Sequence, residues 1–263
     1  MKAAIAPAAA KAAAIATVVI GADYRKVYDR IFRPSVERYA ARHGYDLLLF
    51  EDYLPGYGFR GPAAMSAMKM LLPWQERAMA YDRLMVLDAD ILVHRGAPPF
   101  HMLEIGEGIG AVDEWSQPTI VERLAFQRRA GLEMSPGAYY ARAGLAFDSE
   151  IVVNGGMFVC EPRRHGAFFR DLAERHVAQL ASLPRGSAYE QPVLNYALQT
   201  AGLLRLLPAA WNRIWPLHRP SAQAGATGRI AAFRGFRSVY DRSFLLHMAA
   251  GQDFDFALMV KNR

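Results

Sequence analysis

The chain has 263 residues, 52% of them apolar, and a formal net charge of +6. That length and apolar content suffice for one large α/β unit with a substantial core, while the single cysteine, Cys160, excludes an internal disulfide, and no Cys/His cluster offers zinc-ligand spacing. No uninterrupted apolar stretch reaches the roughly 20 residues needed to cross a bilayer.

Lys2 and the Ala-rich run behind it resemble a secretory signal, but Pro7 and Lys11 interrupt the run, and it continues into Thr17-Val18-Val19-Ile20-Gly21. Cleavage there would remove part of a sheet, so a reducing, cytoplasmic setting is expected. A short β-branched strand is expected over 16–20, leaving through Gly21-Ala22-Asp23. The spacing of Val27, Tyr28, Ile31, Phe32, Val36 and Tyr39 predicts a helix over 24–43, with Pro34 starting a new segment and Gly44 capping its end. A second strand is expected over 46–50, a Gly/Pro/Tyr-rich loop over 53–62, a helix over 64–81 and a third strand over 84–87. This β-α-β-α-β order, with strands apolar on both faces, implies a mostly parallel central sheet flanked by helices.

Beyond residue 100 the pattern loosens. Strands are expected over 110–112, 151–153 and 157–160, helices over 167–183 and 190–200, and a short strand over 203–207. Between the first two strands lies a segment with Trp115, Phe126, Tyr139, Tyr140 and Phe147, read as a substrate-side insertion. No repeat or linker divides the chain. The expectation is one domain over 1–263, with a nucleotide-binding half over 15–105 and an acceptor half over 106–255.

Asp88-Ala89-Asp90 follows directly on the third strand, and in extended backbone residues two apart project to one side. In open parallel sheets ligands bind beyond the carboxyl ends of strands, which is where this pair falls. Two hard oxygen ligands suit Mg²⁺ or Mn²⁺, ions that share their coordination shell with phosphates. The triplet alone is weak, since about one is expected by chance at this length. A second copy, Asp253-Phe254-Asp255, lacks a preceding buried strand, so the first is preferred.

Several motifs then agree in order: residues 81–93 around the acidic pair, Val153-Asn154-Gly155-Gly156-Met157-Phe158-Val159, Glu190-Gln191-Pro192-Val193-Leu194-Asn195, Leu207-Pro208 through Trp211-Asn212, and His247 with Gly251. Together they resemble the retaining GT-A glycosyltransferases. Family 8, which includes glycogenin and bacterial lipopolysaccharide galactosyl- and glucosyltransferases, is the nearest likeness. The resemblance implies a metal-dependent transfer of a hexosyl residue from a UDP-sugar to a glycan, lipid-linked or other hydroxyl acceptor, with retention. Asp88, Asp90 and His247 would hold the metal, Mn²⁺ ahead of Mg²⁺, with Ala89 between the two acids. Residues 16–23, with Gly21, Ala22 and Asp23, would form the nucleotide pocket, and Tyr24 would stack on uracil. Asn154, Gly155 and Gly251 would approach the donor or acceptor, and Gln191, beside Glu190, would lie beneath the anomeric carbon.

Plainer readings stand beside these. His247 reads from its apolar neighbours as a core histidine, Lys69, which resembles a family lysine that approaches the donor, reads equally as a solvated helix lysine, Asn154 as a strand-end residue, and Gln191 as a first-turn helix residue. Two features depart from the family: Glu190 replaces its aspartate, and the segment from His247 to Gly251 is one residue longer, with no Lys-Pro-Trp after it. An arginine or Lys261 is left to meet the diphosphate. Between Glu190 and Asp241 there is no acid, while Arg205, Arg213, Arg219, Arg229, Arg234 and Arg237 fall there. That excess admits an anionic acceptor or contact with a membrane surface, whereas nucleic acid is not expected without aromatic-basic interleaving. A nucleotidyltransferase would need a glycine-rich phosphate loop that Gly21-Ala22-Asp23-Tyr24 does not supply. A catalytically silent sugar-binding module on the same fold remains the other alternative.

Overall fold

Alternating burial fixes how the first strand sits. In β1 (Lys11–Val18), Ala14 and Ala16 enter the core on one face while Ala13 and Ile15 enter it on the other. The computed structural model describes residues 11–56, 60–129, 131, 134–181, 190–219, 226–249 and 253–260. After β1 come α1 (Ala22–Val27), a wide turn over Tyr28–Phe32, α2 (Arg33–His43), β2 (Asp46–Phe50), α3 (Pro62–Leu71), α4 (Glu76–Met79), β3 (Tyr81–Leu87), β4 (Ile91–Val93) and β5 (Ile109–Asp113). The second half holds α5 (Ile120–Arg129), α6 (Pro136–Arg142), β6 (Val153–Cys160), α7 (Pro162–Ala181), α8 (Gln191–Thr200), β7 (Leu204–Leu206), β8 (Arg213–Ile214), α9 (Trp215–His218), α10 (Ala226–Tyr240), β9 (Leu245–His247) and α11 (Phe254–Val260).

Among the described residues, six strands form the main sheet in the order β2-β1-β3-β6-β5-β7. Pairing of β1 with β2 and β3, and of β5 with β7, is parallel, and β6 alone runs against its neighbours β3 and β5. The fold is therefore a mixed α/β one, with a mostly parallel sheet between helical layers. One face of the sheet buries Leu84, Val86, Phe158 and Cys160 under α3, α7 and α8, and the other buries Met85, Leu87, Met157 and Val159 under α2 and the Trp211 turn. Phe158 stacks on Phe169 of α7 with centroids 4.9 Å apart, a contact whose truncation to alanine costs about 3–5 kcal/mol. A second sheet, β4-β9-β8, packs against the Tyr28–Phe32 turn, α10 and α11 through Leu92, Leu246, Trp215, Phe236 and Phe256. Among the described residues no helix is long and apolar enough to cross a membrane.

Several expected elements have different bounds. The first strand starts at Lys11 and ends at Val18, inside the β-branched run, because parallel pairing to both neighbours carries its alanines inward. The helix expected over 24–43 widens over Tyr28–Phe32, where the Arg33 N–H bonds the carbonyl of Tyr28, five residues back. Pro34 then opens α2 without an N–H to donate, and Gly44 ends it with a left-handed φ of 69°. The helix expected over 64–81 ends at Leu71; Pro73 lies in a tight turn, and Tyr81 already belongs to β3. The strands expected over 151–153 and 157–160 are one, β6, which runs unbroken through its two glycines. Cys160 is buried and free, and burial pushes its thiol pKa upward.

Candidate active site

Ala89 and Asp90 lie in the turn between β3 and β4, so the strand-alternation argument does not carry from Asp88 to Asp90. What brings them together is pairing on both sides. The Asp88 N–H donates to the carbonyl of Gly156 on β6 at 2.7 Å, and the Met248 N–H donates to the carbonyl of Asp90 at 2.9 Å. Antiparallel register places Ile91 opposite His247, which carries the imidazole to the acids across the β4–β9 ladder. The Nε2 of His247 lies 3.2 Å from Asp90 Oδ1 and 3.8 Å from Asp88 Oδ2.

One side chain orients that imidazole. Asn154 Oδ1 accepts from the Gly156 N–H at 2.9 Å and from Asn212 Nδ2 at 3.0 Å, and its Nδ2 donates to Glu114 Oε2 at 2.9 Å and Gln191 Oε1 at 3.3 Å. With the amide so fixed, Oδ1 is an acceptor toward His247 Nδ1 at 3.0 Å, so Nδ1 carries the proton and the Nε2 lone pair is turned to the carboxylates. A histidine whose far nitrogen donates to an amide or carboxylate oxygen is the usual arrangement behind a metal ligand. Without an ion the same proximity favours a proton on the ring: burial works against it, but Asp90 and then Asp88 outweigh burial and raise the His247 pKa. Burial would likewise raise Asp90, but His247 overrides it and leaves that carboxyl below its ordinary value.

Lys69, from α3, is buried, so its reading as a solvated helix lysine does not hold. Its Nζ bridges Asp88 Oδ1 at 2.7 Å and Glu190 Oε1 at 2.9 Å. Desolvation opposes its charge, yet the two carboxylates exceed that cost and raise its pKa. Asp88, Asp90 and Glu190 against this one ammonium leave two negative charges when His247 is neutral. One ligand atom from each of Asp88, Asp90 and His247 lies within 4.8 Å of the others. The donor set of hard oxygens with one imidazole, and its charge deficit, both fit a divalent cation such as Mn²⁺ or Mg²⁺.

Gln191 opens α8 and is held on both ends of its amide. Oε1 accepts from the Gly155 N–H at 3.1 Å, and Nε2 donates to Glu114 Oε2 at 3.3 Å. Glu114, absent from the sequence reading, follows β5 and pairs with Arg123 Nη2 of α5 at 2.8 Å. Its signal was the one already used for Asp88, an acid directly beyond an apolar parallel strand. Asn195, quoted in a motif without a role, brackets Val153, accepting its N–H at 2.6 Å and donating to its carbonyl at 2.8 Å.

The two glycines are needed for space. A Cβ on Gly155 would stand 2.8 Å from Glu190 Oε1, and one on Gly156 would stand 2.4 Å from His247 Cε1. Gly21 leads into α1 at a φ of 96°, and Gly21, Ala22 and Asp23 are exposed. Asp23 pairs with Lys26 on the surface. Tyr24 faces the acids: burial, then the charges of Asp90 and Asp88, raise its hydroxyl pKa, while the residue stays 39% exposed. Gly251 and Lys261 lie outside the described residues. The second acidic pair is engaged elsewhere, Asp253 with Trp215 Nε1 and Arg219, and Asp255 with Arg229.

This arrangement of sheet and acidic turn is the GT-A glycosyltransferase fold. No protein-family model and no curated protein sequence matches the chain. Among solved structures it is similar to the bifunctional glycosyltransferase WbbM, with a TM-score of 0.57 at 15% identity, covering 94% of this chain and 47% of that one. It is also similar to a glycosyltransferase involved in glycosylation of the major capsid of PBCV-1, at 0.55 and 12%, covering 94% and 100%. The galactosyltransferase LgtC in complex with donor and acceptor sugar analogues gives 0.55 and 14%, covering 93% and 95%.

Proposed function

We propose that the protein is a retaining, metal-dependent glycosyltransferase of the family 8 type, moving a hexosyl residue from a UDP-sugar to a hydroxyl acceptor. The observation that carries this reading is the Asp88, Asp90 and His247 cluster at the carboxyl end of β3, with Asn154 holding the imidazole in the ligating tautomer. The solved likenesses lend it context, since LgtC binds donor and acceptor sugar analogues on the same fold.

In this reading Asp88, Asp90 and His247 Nε2 hold Mn²⁺ or Mg²⁺, which when bound offsets the charge that develops on the departing diphosphate. Lys69 fixes the Asp88 carboxylate and adds positive charge beside it. Tyr24 offers a partly exposed ring next to the acids, suited to stacking on a base. Gln191 presents a neutral amide that two backbone-anchored partners hold in place. Neither neighbouring carboxylate is a bare base or nucleophile: Glu190 shares the Lys69 ammonium with Asp88, and Glu114 pairs with Arg123. Inversion would need such a base opposite the leaving group, and double displacement a bare carboxylate at the anomeric carbon. The acceptor proton therefore passes to the leaving phosphate oxygen on the same face, and configuration is retained.

Calorimetric titration with UDP tests the site. Mn²⁺-dependent binding is expected in the native protein and in Asp255→Asn, with a loss of at least about tenfold in Asp90→Asn, since a charged ligand contributes more than 1.4 kcal/mol. Equal loss in both variants, or binding indifferent to Mn²⁺, would remove the assignment.

A further inference from the structure

Across β8 from the metal cluster lies a cavity of about 570 Å³ that the reaction does not use. Among the described residues four guanidinium groups line it, from Arg129 at the end of α5, Arg213 on β8, Arg219 after α9 and Arg242 after α10, together with His218 and one acid, Glu122. Arg219 is answered by Asp253. No ion pair to a described carboxylate reaches Arg129, Arg213 or Arg242, and Arg213 and Arg242 turn toward main-chain carbonyls, Arg213 Nη2 to that of Arg242 at 3.4 Å and Arg242 Nε to that of Ser238 at 3.0 Å. The Nε of Arg213 is buried with no partner. A buried guanidinium nitrogen left unpaired beside other cations is costly unless an anion completes it. Burial and then its arginine neighbours depress both charged states: Arg213 is lowered by desolvation and Arg242, and His218 falls to about 4 through desolvation, Arg213 and Arg242.

The cavity is also joined to the site. His218 Nε2 lies 3.5 Å from Gln117 Oε1, Gln117 Nε2 donates to the Asn212 carbonyl at 3.0 Å, and Asn212 Nδ2 donates to Asn154 Oδ1. Arg213 and Ile214 pair with Leu246 and His247, so at the backbone one strand spacing of about 4.8 Å separates the cavity wall from the ligand strand.

We propose that this cavity is an anion subsite that receives a phosphate- or carboxylate-bearing sugar unit of the acceptor, so that the enzyme selects acidic acceptors. The inference rests on the glycosyltransferase reading for the word acceptor, and on the cavity alone for the anion. Its volume fits a substituted sugar and exceeds what a bare ion needs. Paired guanidinium groups match the geometry of either oxyanion.

The test is calorimetry on the full chain in excess chelator, so that no metal competes, with glucose 6-phosphate, glucuronate and neutral glucose as probes. At least one anionic sugar should bind saturably and glucose should not, and the stronger of the two identifies the substituent. Arg213→Gln and Arg242→Gln should each weaken that binding about tenfold, and so should Arg129→Gln, an exposed change on another element that leaves packing alone. Equal affinity for glucose and the anionic sugars, or native affinity in all three variants, overturns the proposal. So does loss in these variants of binding to phosphatidylglycerol vesicles with no sugar binding in the native chain, which would assign the face to a membrane. Hydrolysis of UDP-sugars by the native protein needs no acceptor, so its absence would sink the transferase reading while the titration still decided the subsite.

Discussion

Asn154 joins His247, Asn212, Glu114 and Gln191 through one amide, and its Oδ1 is what turns the imidazole lone pair toward the acids. The Gly156 N–H supports that oxygen, and the missing side chain of Gly156 leaves room for the ring. Gly156→Ala is expected to displace His247, because its Cβ would stand 2.4 Å from Cε1 in a closely packed strand. Mn²⁺-dependent UDP binding should drop at least about tenfold, in the range typical for disturbing a ligand's support. Unchanged Mn²⁺ affinity in a folded Gly156→Ala variant would show that His247 does not ligate. Some of this was legible in the residues. The acidic pair stood out by its place after an apolar strand, Asn154 and Gln191 through motif order, and Lys69 only through its likeness to a family lysine. Glu114 follows an apolar strand as Asp88 does, but no second acid stands two positions on and no motif includes it, so nothing in the linear sequence set it apart.

At the scale of elements, β3 and β6 illustrate what a linear reading can and cannot resolve. The run 84–87 is apolar on both faces, and a buried strand followed from that alone. The two glycines of β6 read as a break, and they fall where the β5–β6 register shifts: their N–H groups go to the side chains of Gln191 and Asn154, while the Gly156 carbonyl takes the Asp88 N–H and ties the strand to β3. The strands β4, β8 and β9 are three residues or fewer, too short to carry a period, and they exist through pairing with distant segments. The short helix α9 ends in His218, half-buried against the arginine cavity, and its pKa falls from 6.5 to about 4. A folded pKa below the unfolded one means the unfolded chain binds the proton first. Stability is therefore lost as pH falls from about 6.5 to 4 and this contribution is exhausted below that. His218→Gln should make the decline of the melting temperature across that window shallower, although His165, also lowered by burial, keeps part of it. Superimposable Tm profiles for the two proteins would contradict the assignment.

Over the whole molecule, the alternation of strands and helices made the α/β class readable, because each element of a parallel sheet has the length and apolar period to announce itself. The resemblance named Asp88, Asp90 and His247 together, but how the second sheet closes on the first stayed hidden: the cluster draws the acids from the β3–β4 turn and the histidine from β9, more than 150 positions along the chain. As proposed, this closure builds a metal-dependent, retaining sugar-transfer site. Proton NMR of a panel of UDP-α-sugars incubated with the protein and Mn²⁺ tests it most directly. UDP should be released from at least one donor, the first-formed sugar product should be the α anomer, excess chelator should abolish the reaction, and added Mn²⁺ should restore it. Full turnover in excess chelator would show that no metal takes part, and a β-configured first product that the transfer inverts.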